Sequence, residues 1–473
     1  METLARLRGP YLPVATCMRR LGALGARTSS PRESSSTDLL EHLVIDTDGT
    51  HPSGPDSLDC QISWHGPALL AHDLAANEAT VQARCGLMEV HGRDAGHPRR
   101  LGIEAASVAA GLLATQGLLA ALIGQSRGIT VGPVQTSVLQ AGLMLVSHYV
   151  AAATCPPLTP TPSGSAPGPP FASAGGPWFE IETLDPEAWK GFWGDLGVEG
   201  PDLGRAWTAF RRRYFEGRCS FPPGLHEATA KRPFSEIRQL AQQWRVSLIP
   251  LRHLADVLVD PGRSGAANRL GGLEELPGLI PGASLSSGHS LGPDLPPNPE
   301  LPLNPKLPLT GLKVVEATSR MQGPLAGLLL QMLGAEVLHV EPKGGDVGRM
   351  TLPLAGDTGS FFLAFNRHKQ TIELDLNTPS GRASLRDLTA KADVFLANWR
   401  PGKAAEWELD VEDLARGNPR LVHARASGWG DRPENLSVLG TDFLVQAFAG
   451  VADAVSPDTE PAAPSRVLLT DFM

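Results

Sequence analysis

Residues 309–346 read LTGLKVVEATSRMQGPLAGLLLQMLGAEVLHVEPKGGD, and this stretch decides the fold. Residues 313–317 and 336–340 are short runs rich in valine and leucine, which is typical of buried strands. The apolar segment between them starts at Gly323-Pro324 and is long enough for a helix of about three turns. A strand, a helix and a strand with short connections predict a right-handed crossover between parallel strands.

The same alternation of strands and helices continues as far as residue 424. Because strands joined by helices run parallel, the pattern predicts an α/β fold with an open, largely parallel sheet. Such a sheet binds its ligand at the carboxyl ends of the strands, so the loops after Ala317, Val340 and Leu396 are the expected ligand site. The further predicted elements are strands at 371–376, 394–396 and 421–424 and helices at 380–391 and 411–416.

Two stretches rich in proline, glycine and serine interrupt the chain before this sheet, at 156–176 and from 262 to about 308. The second is interpreted as an interdomain linker. Apolar residues at helical spacing predict a buried helix at 105–125. Short strands at 178–181 and 246–250, with aromatic-rich helices between them, indicate a smaller α+β unit.

Composition excludes several classes of protein. The 473 residues carry 41 Lys plus Arg against 50 Asp plus Glu, a formal net charge of −9, so the chain offers no basic surface for nucleic acid. No uninterrupted run of about 18–20 apolar residues occurs, and no membrane span is expected. The five cysteines lack CxxC spacing, so neither a metal site nor a disulfide framework is expected.

The first forty residues are rich in arginine, and Glu2 is the only acidic residue before Glu33. This composition is similar to that of a mitochondrial presequence. Pro10 and Pro13 interrupt an amphipathic helix, and a disordered extension of a cytoplasmic protein is the alternative. Cytoplasmic localisation is therefore the expectation, with the mitochondrial matrix as the alternative.

A six-residue block, VQAxxG, occurs twice, at 81–86 and 445–450, an offset of 364 residues. The same offset leads from Ser107 to Asp471 without a gap. Both residues follow an aliphatic run 21 residues after their block. This correspondence indicates an internal duplication.

Six segments, in one order over about 165 residues, closely resemble the class III CoA-transferase family, also called CaiB/BaiF, which includes α-methylacyl-CoA racemases. Residues 101–128 resemble the part of that family that follows its catalytic carboxylate, and 244–261 resemble the end of its small domain. The family's C-terminal part thus precedes its N-terminal part, so the chain is similar to a rearranged or two-copy member. The six segments are 309–346, FNRHKQTIELDL, ADVFLANWRPG, NPRLVHARASGWG, GTDFLVQAFAG and LLTDF.

The resemblance implies a Rossmann-like large domain with an open, largely parallel sheet and a smaller α+β domain. Family members form interlocked homodimers, so it also implies either a homodimer or a pseudo-dimer within one chain. The implied divisions are 1–58, a disordered or targeting extension; 59–160, the helical C-terminal part of a degenerate first copy; 171–262, the small domain; 263–308, the linker; and 309–473, the CoA-binding part.

Asp471 follows the apolar run Val467-Leu468-Leu469, which would raise the pKa and nucleophilicity of its carboxyl group. In the resembled family, the aspartate of this motif attacks an acyl-CoA thioester and forms a mixed anhydride. CoA thiolate then attacks, and CoA passes to an acceptor carboxylate. The resemblance implies that Asp471 is this nucleophile; the alternative is an aspartate that caps a following helix.

The resemblance also implies a CoA site at the carboxyl ends of the strands, with a CoA thioester as substrate and no permanently bound cofactor. A glycine before a helix N-terminus suits the close approach of an anionic group, although it is also a common structural device. Lys343, Arg349 and Arg400 could supply charge to the 3′-phosphate or remain solvated. The implied CoA-binding residues are Met321, Gln322, Gly323, Pro324, Lys343, Leu374, Asn398, Trp399 and Arg400.

Three positions depart from the family pattern. Glu406 stands where some members place an arginine towards CoA. Ser107 replaces the aspartate in the first copy, where a hydroxyl with no adjacent base is a poor nucleophile, so one active site per chain is expected. Thr441 stands where the racemases have a histidine, and His423 is more typical of a structural residue. CoA transfer therefore ranks above racemisation, and a degenerate CoA-binding partner subunit is the third alternative.

Overall fold

The N-terminal third of the chain forms a four-stranded sheet covered by helices. The computed structural model describes residues 3–9, 11–23, 39–45, 58–66, 77–157, 166–198, 200–260, 307–430, 438–457 and 459–472. The strand order is β2-β1-β3-β4; β1 and β2 are antiparallel and the other neighbours parallel. The elements are β1 (Thr3–Gly9), α1 (Tyr11–Ala23), β2 (Leu39–Ile45), β3 (Leu58–Ser63), α2 (Glu78–Cys85), α3 (Leu87–Gly92), α4 (Ala105–Ser126), β4 (Val134–Ser137), α5 (Val138–Leu145) and α6 (Ser147–Ala153).

This sheet corrects two predictions. A disordered or targeting extension was predicted over 1–58. The residues described there differ from the disordered alternative, because β1 and β2 join the sheet, and the targeting alternative stays a prediction. Cys17 and Leu21 of α1 are fully buried in the same core as α4. The region 59–160 was expected to be helical and also contains β3 and β4, which pair with each other.

Helix α4 confirms the buried helix predicted at 105–125 and is the centre of this core. Ala110, Ala114 and Leu118 are fully buried, and a Cβ on Gly111 would lie 2.5 Å from the Pro13 carbonyl oxygen of α1. Among the described residues it is the one helix long and apolar enough to cross a membrane, but more than half of its apolar window is buried inside the fold. The core helix of a globular domain has the same properties.

The middle of the chain forms the predicted small unit, with helices around two short antiparallel strand pairs, β5 with β7 and β6 with β8. Its core is aromatic, with Phe171, Phe192, Trp193 and Phe221 fully buried. The predicted linker lies outside the described residues except for its last two positions. The elements are β5 (Ala166–Pro167), β6 (Phe179–Glu182), α7 (Pro186–Asp195), α8 (Pro201–Glu216), β7 (Ser220–Phe221), α9 (Pro223–Ala230), α10 (Phe234–Gln243), β8 (Ser247–Pro250) and α11 (Leu254–Val259).

The last third forms the predicted parallel sheet, with five strands in the order β13-β10-β9-β14-β15, all parallel. The bounds of β9 and β10 agree with the prediction to within one residue. The elements are β9 (Lys313–Ala317), α12 (Gln322–Met332), β10 (Glu336–Glu341), β11 (Leu354–Ala355), β12 (Thr358–Gly359), α13 (Ser360–Asn366), β13 (Gln370–Glu373), α14 (Pro379–Thr389), β14 (Val394–Ala397), α15 (Lys403–Glu406), α16 (Val411–Ala415), β15 (Val422–Arg425), α17 (Asp442–Phe448), α18 (Val451–Val455) and α19 (Leu469–Phe472).

The strand order reverses between β9 and β14, because the chain proceeds from β9 to one edge of the sheet and then returns to the other. A crevice opens at the carboxyl ends of two such strands. Here the Asn398 side chain, just after β14, accepts from Ser319 N at 3.0 Å and donates to Ser319 O at 2.8 Å. This pair of hydrogen bonds fixes the loop that joins β9 to α12.

Candidate active site

Asp471 lies in α19, and the side chain of Asp442 holds its backbone. Asp442 Oδ2 accepts from Thr470 N at 2.7 Å, from Thr470 Oγ1 at 2.7 Å and from Asp471 N at 3.0 Å. Gln446, one turn along α17, donates to Asp442 Oδ1 and to Val467 O. Asp442 and Gln446 thus form a polar cage around the start of α19.

The first copy contains the same cage. Glu78 accepts from Ala106 N at 3.0 Å and Ser107 N at 2.9 Å, and Gln82 donates to Glu78 at 3.0 Å. Because each hydrogen bond recurs at the offset of 364, the duplication indicated by the sequence extends to the side-chain network. The corresponding residues are Glu78 and Asp442, Gln82 and Gln446, Leu101 and Ser465, Ile103 and Val467, Ala106 and Thr470, and Ser107 and Asp471.

The two cages differ at the residue they surround. Ser107 is fully buried, and its hydroxyl donates to Glu78 Oε2 at 2.6 Å. The expectation that Ser107 has no adjacent base is therefore wrong, but this bond engages the hydroxyl in the core. Asp471 is half-buried, and within the described residues its carboxylate accepts no hydrogen bond. Of the two positions, only Asp471 presents an unengaged oxygen.

Burial raises the pKa of Asp471 well above its ordinary range, and the charge of Asp442 raises it further. Arg320, in the loop after β9, acts in the opposite direction. Burial also raises the pKa of Asp442, against the four hydrogen bonds that its carboxylate accepts. The apolar run before Asp471 predicted a raised pKa. The effects of Asp442 and Arg320 on this pKa could not be predicted, because both residues are distant from Asp471 in sequence.

A buried ion cluster from the small unit packs against α17. Arg213 is fully buried and donates to Glu180 Oε1 at 2.8 Å and Glu182 Oε2 at 3.0 Å. Tyr214 also donates to Glu182, and its ring lies 4.8 Å from that of Phe443, next to Asp442. Sequence reasoning missed this cluster, because no local pattern connects a strand carboxylate with an arginine about thirty residues later.

An apolar cluster lies beside Asp471, and the buried residue His148 contacts it. The cluster consists of Met321, Phe365, Phe443 and Leu468, with Phe472 packed against them. His148 is fully buried, with its ring centroid 6.3 Å from that of Phe472, and neither ring nitrogen has a hydrogen-bond partner among the described residues. Burial lowers its pKa to about 3, so this imidazole is neutral.

Several of the predicted CoA-binding residues lie along the crevice. Met321 packs with Leu468 of the Asp471 segment, and Gln322, Gly323 and Pro324 form the first turn of α12. Asn398 fixes the crevice loop as described above. Helix α12 thus contacts the Asp471 segment through Met321 and Leu468, and the binding of CoA by these residues stays a prediction.

Other predicted residues serve packing or the surface. Trp399 packs edge-on against Phe395 and Trp407, and Leu374 lies half-buried on a face of the sheet. Lys343 is exposed in the loop after β10. These side chains lie at the carboxyl side of the sheet, and in the part of the chain that the structure describes they form no hydrogen bond or ring contact with the Asp471 cage.

The remaining charges near the crevice are largely paired. Arg400 lies 3.2 Å from Glu406, which also accepts from Lys403 at 2.6 Å, so the departure at Glu406 forms a local exposed ion cluster. Arg349 binds Glu341 at 2.6 Å. Of the three predicted cations, Lys343 alone has no ion pair among the described residues.

A second buried ion cluster connects β9 with the first turn of α12. Glu316 of β9 accepts from Thr318 and from His339, each at 2.8 Å, and binds Lys369 at 2.8 Å. Lys369 also donates to Pro324 O at 2.7 Å in the first turn of α12. The resembled segment FNRHKQTIELDL contains this lysine, but its partner could not be inferred from the sequence.

Replacing Gly327 with alanine tests how rigid this cluster is. The new Cβ would lie 1.7 Å from Glu316 Oε2, which accepts from Lys369, while Oε1 of the same carboxylate is held by Thr318 and His339. We expect a loss of at least about 2 kcal/mol in the free energy of unfolding, measured by urea denaturation. The matched change Gly204→Ala in α8, where nothing lies within 4 Å, should instead stabilise the protein by roughly 0.5–1 kcal/mol. Equal effects of the two changes would contradict a rigid cluster.

Comparison with known proteins gives the family of this chain. The sequence pattern of CoA-transferase family III matches residues 33–267 and 309–473, most of the chain. The chain belongs to CoA-transferase family III. The match in two segments fits a rearranged or two-copy member of this family.

Individual members of family III match a shorter part of the chain. The acetyl-CoA:oxalate CoA-transferase of Acetobacter aceti is 36% identical over 164 residues, 34% of this chain and 42% of that protein. The α-methylacyl-CoA racemase of Mus musculus is 35% identical over 162 residues, 34% of this chain and 39% of that protein. A CaiB/BaiF protein from Brucella suis of known structure is 35% identical, with a TM-score of 0.31, covering 33% of this chain and 43% of that one. The chain spans about two fifths of the length of the curated relatives it matches.

Proposed function

We propose that this member of family III transfers CoA from an acyl-CoA to a carboxylic acid, with Asp471 as the nucleophile. The observation that carries the proposal is the unengaged carboxylate of Asp471. Its backbone is held by Asp442, and its oxygens accept no hydrogen bond from the described residues. A poorly solvated carboxylate fixed in one position is a better nucleophile than one in water.

The proposed reaction needs only this carboxylate and CoA. An oxygen of Asp471 attacks the thioester carbonyl, the C–S bond breaks and CoA leaves as thiolate, giving a mixed anhydride. The thiolate attacks the aspartyl carbonyl, the donor acid leaves as carboxylate, and Asp471 carries CoA as a thioester. The acceptor carboxylate displaces the thiolate, which then attacks the acceptor's acyl carbon and frees Asp471. One thioester and one free carboxylate are present at the start and at the end, so no oxidant or net proton transfer is required.

We further propose how the chain divides these tasks. Residues 309–473 would form the Rossmann-like CoA-binding part, with the CoA-contacting residues Met321 to Pro324, Lys343, Leu374 and Asn398 to Arg400. Residues 59–160 and 171–262 would be the degenerate copy and the small domain. The contact of Tyr214 with Phe443 supports this division, because it places the small unit beside the Asp471 cage. Relatives named for oxalate and for succinate with glutarate support a small carboxylic acid as acceptor.

Trapping the covalent intermediate tests the proposal. The chain is incubated with acetyl-CoA, succinyl-CoA and 2-methylpropionyl-CoA, treated with hydroxylamine, digested and analysed by mass spectrometry. We expect an aspartyl hydroxamate at Asp471, because both the anhydride and the aspartyl thioester react with this amine. A hydroxamate at another carboxylate, or none with any of the three thioesters, would refute Asp471 as the nucleophile.

The same samples distinguish the two alternatives. A racemase would exchange the α-hydrogen of 2-methylpropionyl-CoA in D2O without a hydroxamate, and the named racemase relative is the reason to measure it. Thr441 makes this outcome unexpected, since its hydroxyl lies 3.4 Å from Glu182 and cannot act as a base near neutral pH. Binding of CoA with neither reaction would identify a degenerate partner subunit.

A further inference from the structure

Arg320 has an unusual backbone in the crevice loop. Its φ of +68° lies in the left-handed region, which costs a non-glycine residue about 1 kcal/mol or more. Both neighbours hold it there, because Ser319 is bonded to Asn398 and Met321 is fully buried. Strain of this kind persists where the surrounding structure fixes a residue in position, and it is concentrated at functional sites.

Arg320 precedes Met321, which packs in one buried cluster with Leu468 of the Asp471 segment. In keeping with this placement, the positive charge of Arg320 lowers the pKa of Asp471 and of Tyr214. Arg320 is exposed and makes no hydrogen bond or ion pair within the described ranges.

Arg213, a buried cation near the cage, is paired with Glu180 and Glu182. Arg466, buried over the ring of Phe443, is paired with Asp94 at 2.7 Å. Arg320 therefore keeps its five N–H donors available beside a site of net negative charge.

The proposed reaction brings another anion to this place. An acceptor carboxylate must approach the carbonyl carbon of Asp471, beside the buried carboxylate of Asp442. Like charges at such short range oppose the approach unless a cation compensates them. A planar guanidinium can bind one or both oxygens of a carboxylate while the acid is oriented for attack.

We propose that Arg320 binds the reacting carboxylate of the acid substrate and so determines that the acceptor is a free carboxylic acid. This inference rests on the proposed function and adds a substrate-contacting residue to it. Nucleophilic attack by one carboxylate oxygen would leave the other on the guanidinium. The donor acid, released as a carboxylate in the first half of the reaction, would occupy the same position.

Direct binding of acids tests the inference. Acetate and succinate are titrated onto the wild-type chain and onto Arg320→Gln by ligand-observed NMR, with Arg386→Gln as the matched control. Arg386 is a partly exposed arginine of α14 that pairs with Glu408 at 3.2 Å, and it has no role in the proposed site. We expect Arg320→Gln to weaken binding of at least one acid by about tenfold or more. Arg386→Gln should leave it unchanged, and Arg320→Lys should be intermediate because it keeps the charge but not the fork.

Equal binding by wild type and Arg320→Gln, or no binding of either acid by wild type, would overturn the inference. Loss of binding accompanied by a fall in Tm equal to that of a core variant would also overturn it, because the effect would then be structural. Hydroxamate formation at Asp471, measured in parallel without added acid, reports on the proposed function alone. Its absence, with arginine-dependent acid binding intact, would refute the transferase and leave a carboxylate site.

Discussion

Asp471→Asn is expected to abolish labelling by acyl-CoA, a loss of at least about 10⁴-fold, and at the same time to stabilise the folded chain. The first effect follows from removing the proposed nucleophile. The second follows from the raised pKa of Asp471, since burial and Asp442 make its charged form costly in the folded state. The amide carries no charge, and Asp471 N, which donates to Asp442, is retained.

The sign of the pH dependence can be worked out from this shift. A carboxyl whose pKa is raised by folding binds its proton more tightly when folded, so ionisation destabilises the native state as pH rises above the unfolded value of 3.8. We therefore expect the Tm of Asp471→Asn to exceed that of wild type near pH 8 and the gap to close near pH 4. Thermal melts of both proteins at the two pH values measure this difference in Tm. A variant equally or less stable at both values would contradict the raised pKa.

Asp453→Asn is the matched control, with the opposite sign. Asp453 accepts from Leu254 N at 2.9 Å and pairs with His253, and these contacts lower its pKa. Its charge contributes stability above the unfolded pKa, which is lost as pH falls through the lower folded value. Its replacement should therefore lower the Tm near pH 8, where Asp471→Asn raises it.

Arg213→Met is expected to destabilise the chain by about 3–5 kcal/mol, because it leaves Glu180 and Glu182 buried without a compensating charge. Chemical denaturation measures the loss. Within the same cluster, replacing Glu180 with glutamine as well should recover part of it, since one of the two stranded charges is removed.

Arg205→Met on the same helix is the control for Arg213. Arg205 pairs with Asp202 one turn away, and both side chains are about half exposed. Such a surface pair contributes little, so the change should stay within about 0.5 kcal/mol of wild type. A loss below about 1 kcal/mol for Arg213→Met would show that the buried cluster contributes no more than a surface pair.

Local pattern predicted the parallel sheet well, and long-range charge pairing could not be predicted at all. The strands between Lys313 and Arg425 are short segments that alternate with helices over short connections, so the alternation along the sequence was sufficient to predict them. The pairs Glu316 with Lys369 and Glu180 with Arg213 join residues 53 and 33 positions apart, and no periodicity marks them. The N-terminal sheet was missed because prolines and arginines obscured its strands.

The candidate site was predicted in part. The repeat and the resemblance led to Asp471 and its counterpart Ser107, and the structure adds the acidic residue that holds each of them. Asp442 stood inside a quoted motif, but only the folded chain shows that its carboxylate binds the backbone of Asp471. Arg320 had no signal in the sequence, since a left-handed arginine beside a distant carboxylate leaves no local pattern.

The duplicated cage means that the molecule carries its own internal reference. One cage surrounds the hydroxyl of Ser107 and the other the carboxylate of Asp471, while Glu78 and Asp442 accept the same backbone hydrogen bonds in the two cages. A property that both cages show comes from the shared hydrogen-bond network. A property found at Asp471 alone comes from its carboxylate. The two sites can therefore be compared within one chain, at the same temperature and in the same solvent.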